Sequence, residues 1–233
     1  MRLMFLKSRT LKNILNVFVT LMMVATGCKD DDDQPQRYAL EDIDGNVYDA
    51  ISIGAQIWMT DNLRVTKFND GTLLTYANPD DDLMNLTSGS MSYYDDNPAN
   101  ASTYGALYNW HAVGSGKLCP NGWHIPSDGE WNTLINFLGG EDVAGGHMKA
   151  IGTSHWNAPN QEATNNSGFT ALPAGYLFDN GNYNSIGNIT HWWTATENGA
   201  QEAFDRYVYF QNGKVVKGTY SKQVFYSCRC VKD

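Results

Sequence analysis

The chain has 233 residues, of which 42% are hydrophobic, 12% aromatic and only 18% charged. This composition predicts one packed domain of ordinary size and excludes a disordered chain, which would be poor in apolar side chains. The formal net charge of −9 argues against nucleic acid as a partner, because a negative surface repels phosphate. It favours cations, basic partners or neutral sugars.

The first 27 residues have the pattern of a secretory signal. They contain four bases and no acids, and an apolar run follows Lys12 over residues 14–25. The run is shorter than the ~20 residues that span a bilayer as a helix, which disfavours a transmembrane anchor. Cleavage would remove the four bases and lower the net charge from −9 to −13.

Ala25-Thr26-Gly27-Cys28 resembles a bacterial lipobox, although Ala25 stands where leucine is usual. The resemblance implies that residues 1–27 are a lipoprotein signal peptide and that Cys28 is lipidated. Acyl chains on one cysteine hold a protein firmly on a membrane. We therefore expect a lipid anchor in the outer membrane, with the membrane itself as one partner.

Residues 28–37 are predicted to be an acidic, flexible tether. Lys29 is followed by four aspartates, at positions 30–33, which resemble the export tag of Bacteroidetes surface lipoproteins. That reading places the protein on the cell surface. The alternative is a solvated spacer, because adjacent like charges repel and keep a segment extended whatever its role.

The elements of the mature chain predict one α+β domain over residues 38–233. Asp44-Gly45 predicts a hairpin between strand-forming segments. Residues 104–113 are predicted to form a short helix, and Ser127 with Glu130 predicts a capping box that starts another. Gly139-Gly140 supplies the stop of that second helix. Alternating patterns over residues 190–196, 206–210, 214–217 and 224–231 predict closing strands, with a turn at Asn212-Gly213.

Several ordered motifs resemble the Fibrobacter succinogenes major paralogous domain family. They are Gln56-Ile57-Trp58-Met59 with Asn62-Leu63, Tyr104-Gly105-Ala106-Leu107-Tyr108-Asn109-Trp110, Leu118-Cys119-Pro120-Asn121-Gly122-Trp123-His124-Ile125-Pro126, Asn165-Asn166-Ser167-Gly168-Phe169, Ala171-Leu172-Pro173-Ala174-Gly175-Tyr176, Trp192-Trp193-Thr194-Ala195-Thr196-Glu197 and Arg229-Cys230-Val231-Lys232-Asp233. The resemblance implies a C-type lectin-like fold, with a twisted antiparallel sheet, two main helices and long irregular loops. It implies a fold more firmly than a function.

The same resemblance implies a disulfide between Cys119 and Cys230, which suits an oxidising compartment. Cys228 departs from the family pattern. Because residues two apart on a strand share a face, Cys119 could meet either Cys228 or Cys230. The Cys-x-Cys pair also suggests, faintly, the copper-dependent formylglycine-generating oxidases of a related fold, but the spacing differs.

Residues 179–198 gather amide and carboxylate oxygens beside aromatic rings, which predicts a carbohydrate site. The candidate ligand-binding residues are Asp179, Asn180, Asn182, Trp192, Trp193 and Glu197. Aromatic rings stack on the apolar face of a pyranose while polar oxygens take its hydroxyls, and calcium could join them because hard cations prefer oxygen ligands. The alternative is that both tryptophans point into the core and that the Asn/Gly run is a turn.

No catalytic or metal-binding motif appears, so no catalytic residue and no resident cofactor is predicted. The five histidines have no close metal-ligand spacing, and no nucleophile elbow or phosphate loop is present. The leading hypothesis is a surface lipoprotein that binds a ligand, with carbohydrate as the first candidate. The second is an adhesin-like protein that binds another protein, and the third is an oxidase.

Overall fold

The computed structural model describes residues 35–233. The predicted signal peptide, the lipidation site Cys28 and most of the tether therefore lie outside the described residues. Fourteen strands form over the described part, namely β1 (Arg37–Glu41), β2 (Val47–Ile53), β3 (Gln56–Met59), β4 (Thr75–Tyr76), β5 (Ser90–Ser92), β6 (Leu107–Asn109), β7 (Trp123–His124), β8 (Tyr176–Leu177), β9 (Tyr183–Asn184), β10 (Ile189–Glu197), β11 (Glu202–Tyr209), β12 (Val215–Ser221), β13 (Phe225–Tyr226) and β14 (Val231–Lys232).

Helices are few and short within residues 35–233, which confirms a sheet-rich α+β domain. They are α1 (Ala101–Tyr104), α2 (Trp110–Gly114), α3 (Asp128–Phe137) and α4 (Ala144–Met148), with 3₁₀ turns at Leu83–Asn85, Tyr94–Asp96 and Pro98–Asn100. Only α3, with ten residues, has the length of an ordinary helix. The sequence predicts two main helices, whereas residues 35–233 contain one, α3.

The strands form three sheets in the described chain, with orders β1-β2-β3-β14-β7, β4-β5-β6-β13-β8-β9 and β10-β11-β12. Nearly all neighbours are antiparallel; β4 and β5 are the parallel pair. The Asp44-Gly45 hairpin is confirmed, since Glu41 lies opposite Val47. The five-stranded sheet curls strongly, because Lys232 of β14 reaches to 5.5 Å from the ring of Tyr38 on β1.

Helix α3 begins and docks as its sequence predicts. Ser127 accepts a hydrogen bond from the Glu130 amide, and the Glu130 carboxylate accepts one from the Ser127 amide at 2.7 Å. Trp131, Leu134 and Ile135 are buried, and the Trp131 ring packs 4.8 Å from Trp58 and 5.6 Å from Trp192. The helix ends before Gly139, whose φ is +98°.

The helix predicted over residues 104–113 is wrong in its first half. Gly105 has φ +79° and ends α1, and Leu107–Asn109 forms a strand that pairs with β5 and β13. The Asn109 side chain then accepts a hydrogen bond from the Ala112 amide, so that α2 begins only at Trp110. Strand pairing therefore outweighs the local helical pattern.

Candidate ligand-binding cleft

The predicted ligand site divides into separate parts. Asp179, Asn180 and Asn182 lie in the turn between β8 and β9, where the Asn182 amide donates to Asn180 Oδ1 at 3.1 Å and the Phe178 amide to the Asn182 carbonyl at 3.0 Å. Asn180 and Asn182 are exposed and Asp179 is half-buried. The alternative reading of this run, a hairpin turn, describes what these residues do locally.

Trp192 and Trp193 are not available to a ligand, which corrects the expectation that they form an aromatic platform. Both side chains are 0% exposed. They alternate along β10 into two core clusters, and each indole N–H is satisfied inside: Trp192 donates to Asn62 Oδ1 and Trp193 to the Tyr108 carbonyl, both at 2.9 Å. A buried, hydrogen-bonded indole cannot stack on a sugar.

Glu197 is exposed at the end of β10, and its carboxylate lies 3.4 Å from the ammonium of Lys222. Lys222 in turn lies over the ring of Trp110 at 4.5 Å. Glu197 thus belongs to an ion pair at the end of the three-stranded sheet. The six predicted residues supply a turn, two core tryptophans and a surface ion pair rather than one site.

A cleft of ligand size lies elsewhere, between the two edges of the curled five-stranded sheet. Its volume is about 390 Å³, and small-molecule sites are commonly of this order. One wall is residues 40–43, from the end of β1 and its turn; the other is Pro120, Asn121 and Trp123, leading into β7, with Asn69 between them. β1 and β7 are the outer strands of the sheet.

The apolar part of the cleft is formed by side chains that pack against the hydrophobic core. Leu40 and Trp123 are half-buried, and each packs one side against the largest core cluster. Ile43, which is 44% exposed, and Pro120 extend this apolar surface. No hydrogen bond joins the Trp123 indole N–H to another described residue, so the ring offers a solvent-facing edge and an open donor.

The polar part of the cleft combines free and fixed groups. Asn121 and Glu41 are exposed, and no described residue hydrogen-bonds to either side chain. Asn69 Nδ2 donates to the Cys119 carbonyl at 3.2 Å, which leaves its Oδ1 without a described donor. Asp42, by contrast, is 6% exposed and saturated. The cleft therefore presents one amide, one amide oxygen and one carboxylate to a ligand.

Asp42 makes the hairpin wall rigid. Its carboxylate accepts hydrogen bonds from the Asp44 and Asn46 amides at 2.9 and 3.0 Å, and from the Tyr48 hydroxyl at 2.5 Å. Burial raises the pKa of Tyr48 well above its ordinary value, and the hydrogen bond to Asp42 adds to this effect. The tyrosine thus stays a donor at neutral pH, and the turn keeps its shape.

The opposite wall is held by a disulfide and by a histidine. Cys119 precedes Pro120 and is bonded to Cys230, which confirms the implied pairing; the alternative partner, Cys228, is free and buried. His124 follows Trp123, and its two ring nitrogens lie 2.6 Å from Asp233 and 2.8 Å from Glu130. These contacts join the cleft loop to the C-terminus and to α3.

A second cluster of polar and aromatic groups is closed. His191 hydrogen-bonds to Asp205 at 2.6 Å, and its ring lies between Tyr226 and Tyr207, with centroids 4.4 and 4.7 Å away. Asp205 Oδ1 has no hydrogen-bond partner among the described residues. Because the imidazole fills the space between the tyrosine rings, we do not assign a ligand here.

Cys228 lacks the surroundings of a reactive thiol. It is 0% exposed, and burial raises its pKa well above the ordinary value for cysteine. Cys230 is engaged in the disulfide. Within residues 35–233 no group of three or more His, Cys, Asp or Glu side chains is arranged to hold a metal. Over the same residues no helix is long and apolar enough to cross a bilayer.

The fold and the cleft together define a sheet-rich α+β domain that carries an open, mixed polar and apolar groove. The family model of the Fibrobacter succinogenes major domain matches residues 51–232, and the chain belongs to this family. No curated protein and no solved structure matches the chain. The matched range covers the Trp123 wall of the cleft but not residues 40–43 of the hairpin wall.

The family motifs account mainly for the framework of the fold. Asn62 Oδ1 accepts hydrogen bonds from both Trp192 and Arg229 at 2.9 Å, and Asn62 Nδ2 donates to the Tyr104 carbonyl at 2.9 Å. Four separate motifs thus meet at one amide. The sequence interpretation missed the cleft because its walls are about 80 residues apart in the chain. The signal that could have indicated it is an aromatic residue, Trp123, directly after a Pro-Asn-Gly turn.

Proposed function

We propose that the protein is a surface-displayed outer-membrane lipoprotein whose domain binds carbohydrate in the Trp123 cleft. The observation that carries this proposal is a cavity of about 390 Å³ in which an indole ring faces unpaired amide and carboxylate groups. A pyranose ring needs an apolar surface for its C–H face and oxygen or amide partners for its hydroxyls. Leu40, Trp123, Asn69, Asn121 and Glu41 supply these groups together.

We propose a C-type lectin-like fold for the domain. The curled antiparallel sheets, the scarcity of helix and the long connections between short strands agree with such a fold. The lipid anchor rests on the lipobox resemblance at Cys28, and surface display rests on the acidic run at residues 30–33. Calcium is included among the conditions of the test, since the sequence leaves it open.

The test is a glycan array on residues 34–233, with and without a chelator, followed by titration calorimetry of each sugar that binds. The proposal expects binding that Trp123→Ala weakens strongly. Loss of one aromatic stacking partner and its desolvated surface corresponds to about 1–3 kcal/mol, which is about tenfold to a hundredfold in affinity. Near-ultraviolet circular dichroism of the variant establishes that it is folded.

A matched pair of asparagine variants tests whether the sugar binds in the cleft or at the site predicted from the sequence. Asn121 and Asn182 are both exposed asparagines in glycine-containing turns, and no described residue hydrogen-bonds to either side chain. Asn121→Ala should weaken sugar binding severalfold, whereas Asn182→Ala should leave it unchanged. The reverse result would place the ligand at the β8–β9 turn. An empty array together with capture of one envelope protein would favour the adhesin-like alternative.

A further inference from the structure

We infer that the sugar bound in the cleft carries a free, protonated amino group. This inference rests on the proposed function and names the ligand class of the same site. Three features of the cleft point to a cationic ligand: an unpaired carboxylate, an excess of acids around it, and a half-buried indole. Each of them attracts a positive charge, which an ammonium group carries and an N-acetyl group or a hydroxyl does not.

The unpaired carboxylate is that of Glu41. The side chain is exposed at the cleft wall, and its Oε1 lies over the hairpin turn at Gly45, 3.8 Å from the position of an ideal Cβ there. No described side chain donates a hydrogen bond to it or forms an ion pair with it. Since a carboxylate gains most from a charged donor, an ammonium group is a better partner for it than a hydroxyl.

Two of the basic groups next to the cleft are already paired, and a third, Lys232 opposite Trp123 on β14, lies over the ring of Tyr38 at 5.5 Å. Lys67 lies 2.8 Å from Asp44, beside the hairpin wall, and Lys117 lies 2.7 Å from Asp70, beside Asn69. Together with Glu41 and Asp42, this neighbourhood has four acids and three bases. Residues 34–233 carry 21 acids and 11 bases in all, so the wider field has the same sign and draws cations toward the cleft.

The indole of Trp123 adds a third attraction. Tryptophan is the best aromatic partner for a cation that lies over its face, and the contact strengthens where water is partly excluded. The ring is half-buried against the core, so its position is fixed before a ligand arrives. A sugar whose C–H face stacks on this ring while its amine reaches Glu41 satisfies both walls of the cleft.

The experiment uses three β-1,4-linked oligosaccharides of equal length that differ at carbon 2 of each unit, which carries an amine, an N-acetyl group or a hydroxyl. Each is titrated into residues 34–233 at about pH 5, because neighbouring oxygens make the carbon-2 amine of a sugar less basic than an alkyl amine and it holds its proton at this pH. We expect the amine-bearing chain to bind about tenfold more tightly than the other two, which equals about 1.4 kcal/mol. Raising the salt concentration should reduce this preference.

Two glutamate variants separate the local carboxylate from the overall charge. Glu41→Gln should reduce the preference for the amine to about twofold or less, because the amide keeps a hydrogen-bonding oxygen but loses the charge. Glu202→Gln removes the same charge from an exposed position on β11, remote in sequence from the cleft residues, and should keep the full preference. Thermal unfolding of both variants checks that the fold is retained.

Equal binding of the three oligosaccharides, preference for the N-acetyl form, or a preference that survives Glu41→Gln would overturn the inference while leaving carbohydrate binding intact. Absence of binding by all three sugars, together with an empty glycan array, would overturn the proposed function itself. The two failures are therefore distinguishable in the same set of measurements.

Discussion

Arg229 is a buried cation whose described hydrogen-bond partners are all neutral. Its guanidinium donates to Asn62 Oδ1 and to the carbonyls of Met59, Phe169 and Thr170, and it stacks on the Phe169 ring at 4.0 Å. Burial lowers its pKa to about 9. The residue is thus held by the geometry of several carbonyls, and its charge is not neutralised by a contacting carboxylate.

Replacing Arg229 should therefore destabilise the fold severely. In Arg229→Met the three carbonyls lose their donor inside the core, and each orphaned group costs about 1–3 kcal/mol, so we expect a loss of at least about 3 kcal/mol in the free energy of unfolding. Urea denaturation measures it. Arg64→Met is the control, since Arg64 lies at the surface and donates to the Val47 carbonyl; it should lose under about 1 kcal/mol. Equal losses would contradict the structural role.

His124 makes the stability of the protein depend on pH. Partial burial acts to lower its pKa, but hydrogen bonds to Asp233 and Glu130 outweigh burial, and the net pKa is raised. A histidine with a raised folded pKa stabilises the protein below its unfolded pKa of about 6.5, and this contribution is lost as the pH rises through the folded value.

We therefore expect His124→Gln to lower the free energy of unfolding by up to about 1 kcal/mol at about pH 5.5 and by much less at about pH 9, since the site is partly exposed. Urea titrations at the two pH values measure the difference. A penalty for His124→Gln that grows with pH would contradict the ion-pair assignment.

The Cys119–Cys230 disulfide acts at the level of elements, because it ties the loop before β7 to the residue before β14 across a sequence separation of 111. In the chain-entropy model a loop of that length contributes about 4–5 kcal/mol. The double variant Cys119→Ala/Cys230→Ala should lose a comparable amount in urea denaturation, and it should weaken binding in the cleft because Pro120 loses its anchor.

A reducing agent supplies the control for the disulfide. Wild-type protein and Cys228→Ala should both lose stability when reduced, whereas the double variant should be insensitive. Loss of the response in Cys228→Ala would mean that Cys228 takes part in the bond in solution. Cys228 itself should contribute little to this response, because a buried thiol with a raised pKa reacts slowly.

Local signals predicted the elements that depend on few residues. The capping box at Ser127 and the Asp44-Gly45 hairpin were predicted from adjacent side chains, and both are observed. Residues 107–109 were misassigned because their partners, β5 and β13, lie far away in sequence. For Trp192-Trp193 the sequence leaves two readings open, a ligand platform and a core pair, and the core pair is observed because both faces of β10 are covered, a fact of packing that alternation alone does not contain.

At the scale of the whole molecule, the length of the tether limits how far the domain can lie from the proposed anchor. Arg37, where β1 begins, is nine positions after Cys28, and a fully extended segment of that length reaches at most about 30 Å. The cleft wall starts at Leu40, three residues further along the chain. If Cys28 is lipidated as proposed, a ligand on a polymer has to approach within a few nanometres of the membrane, and the side of the membrane on which the domain lies decides which polymers it meets.

The acidic run at residues 30–33 tests that placement. If it directs export, replacing its four aspartates with asparagine should leave the protein in the outer-membrane fraction but protect it from protease added to intact cells, while the wild-type protein is cleaved. Replacement by four glutamates keeps the charge and should keep accessibility, because the tag depends on acidity. Cys28→Ser should release the protein from the membrane altogether. An asparagine variant that remains cleavable would assign the run to a solvated spacer, and surface display would then need another signal in the mature chain.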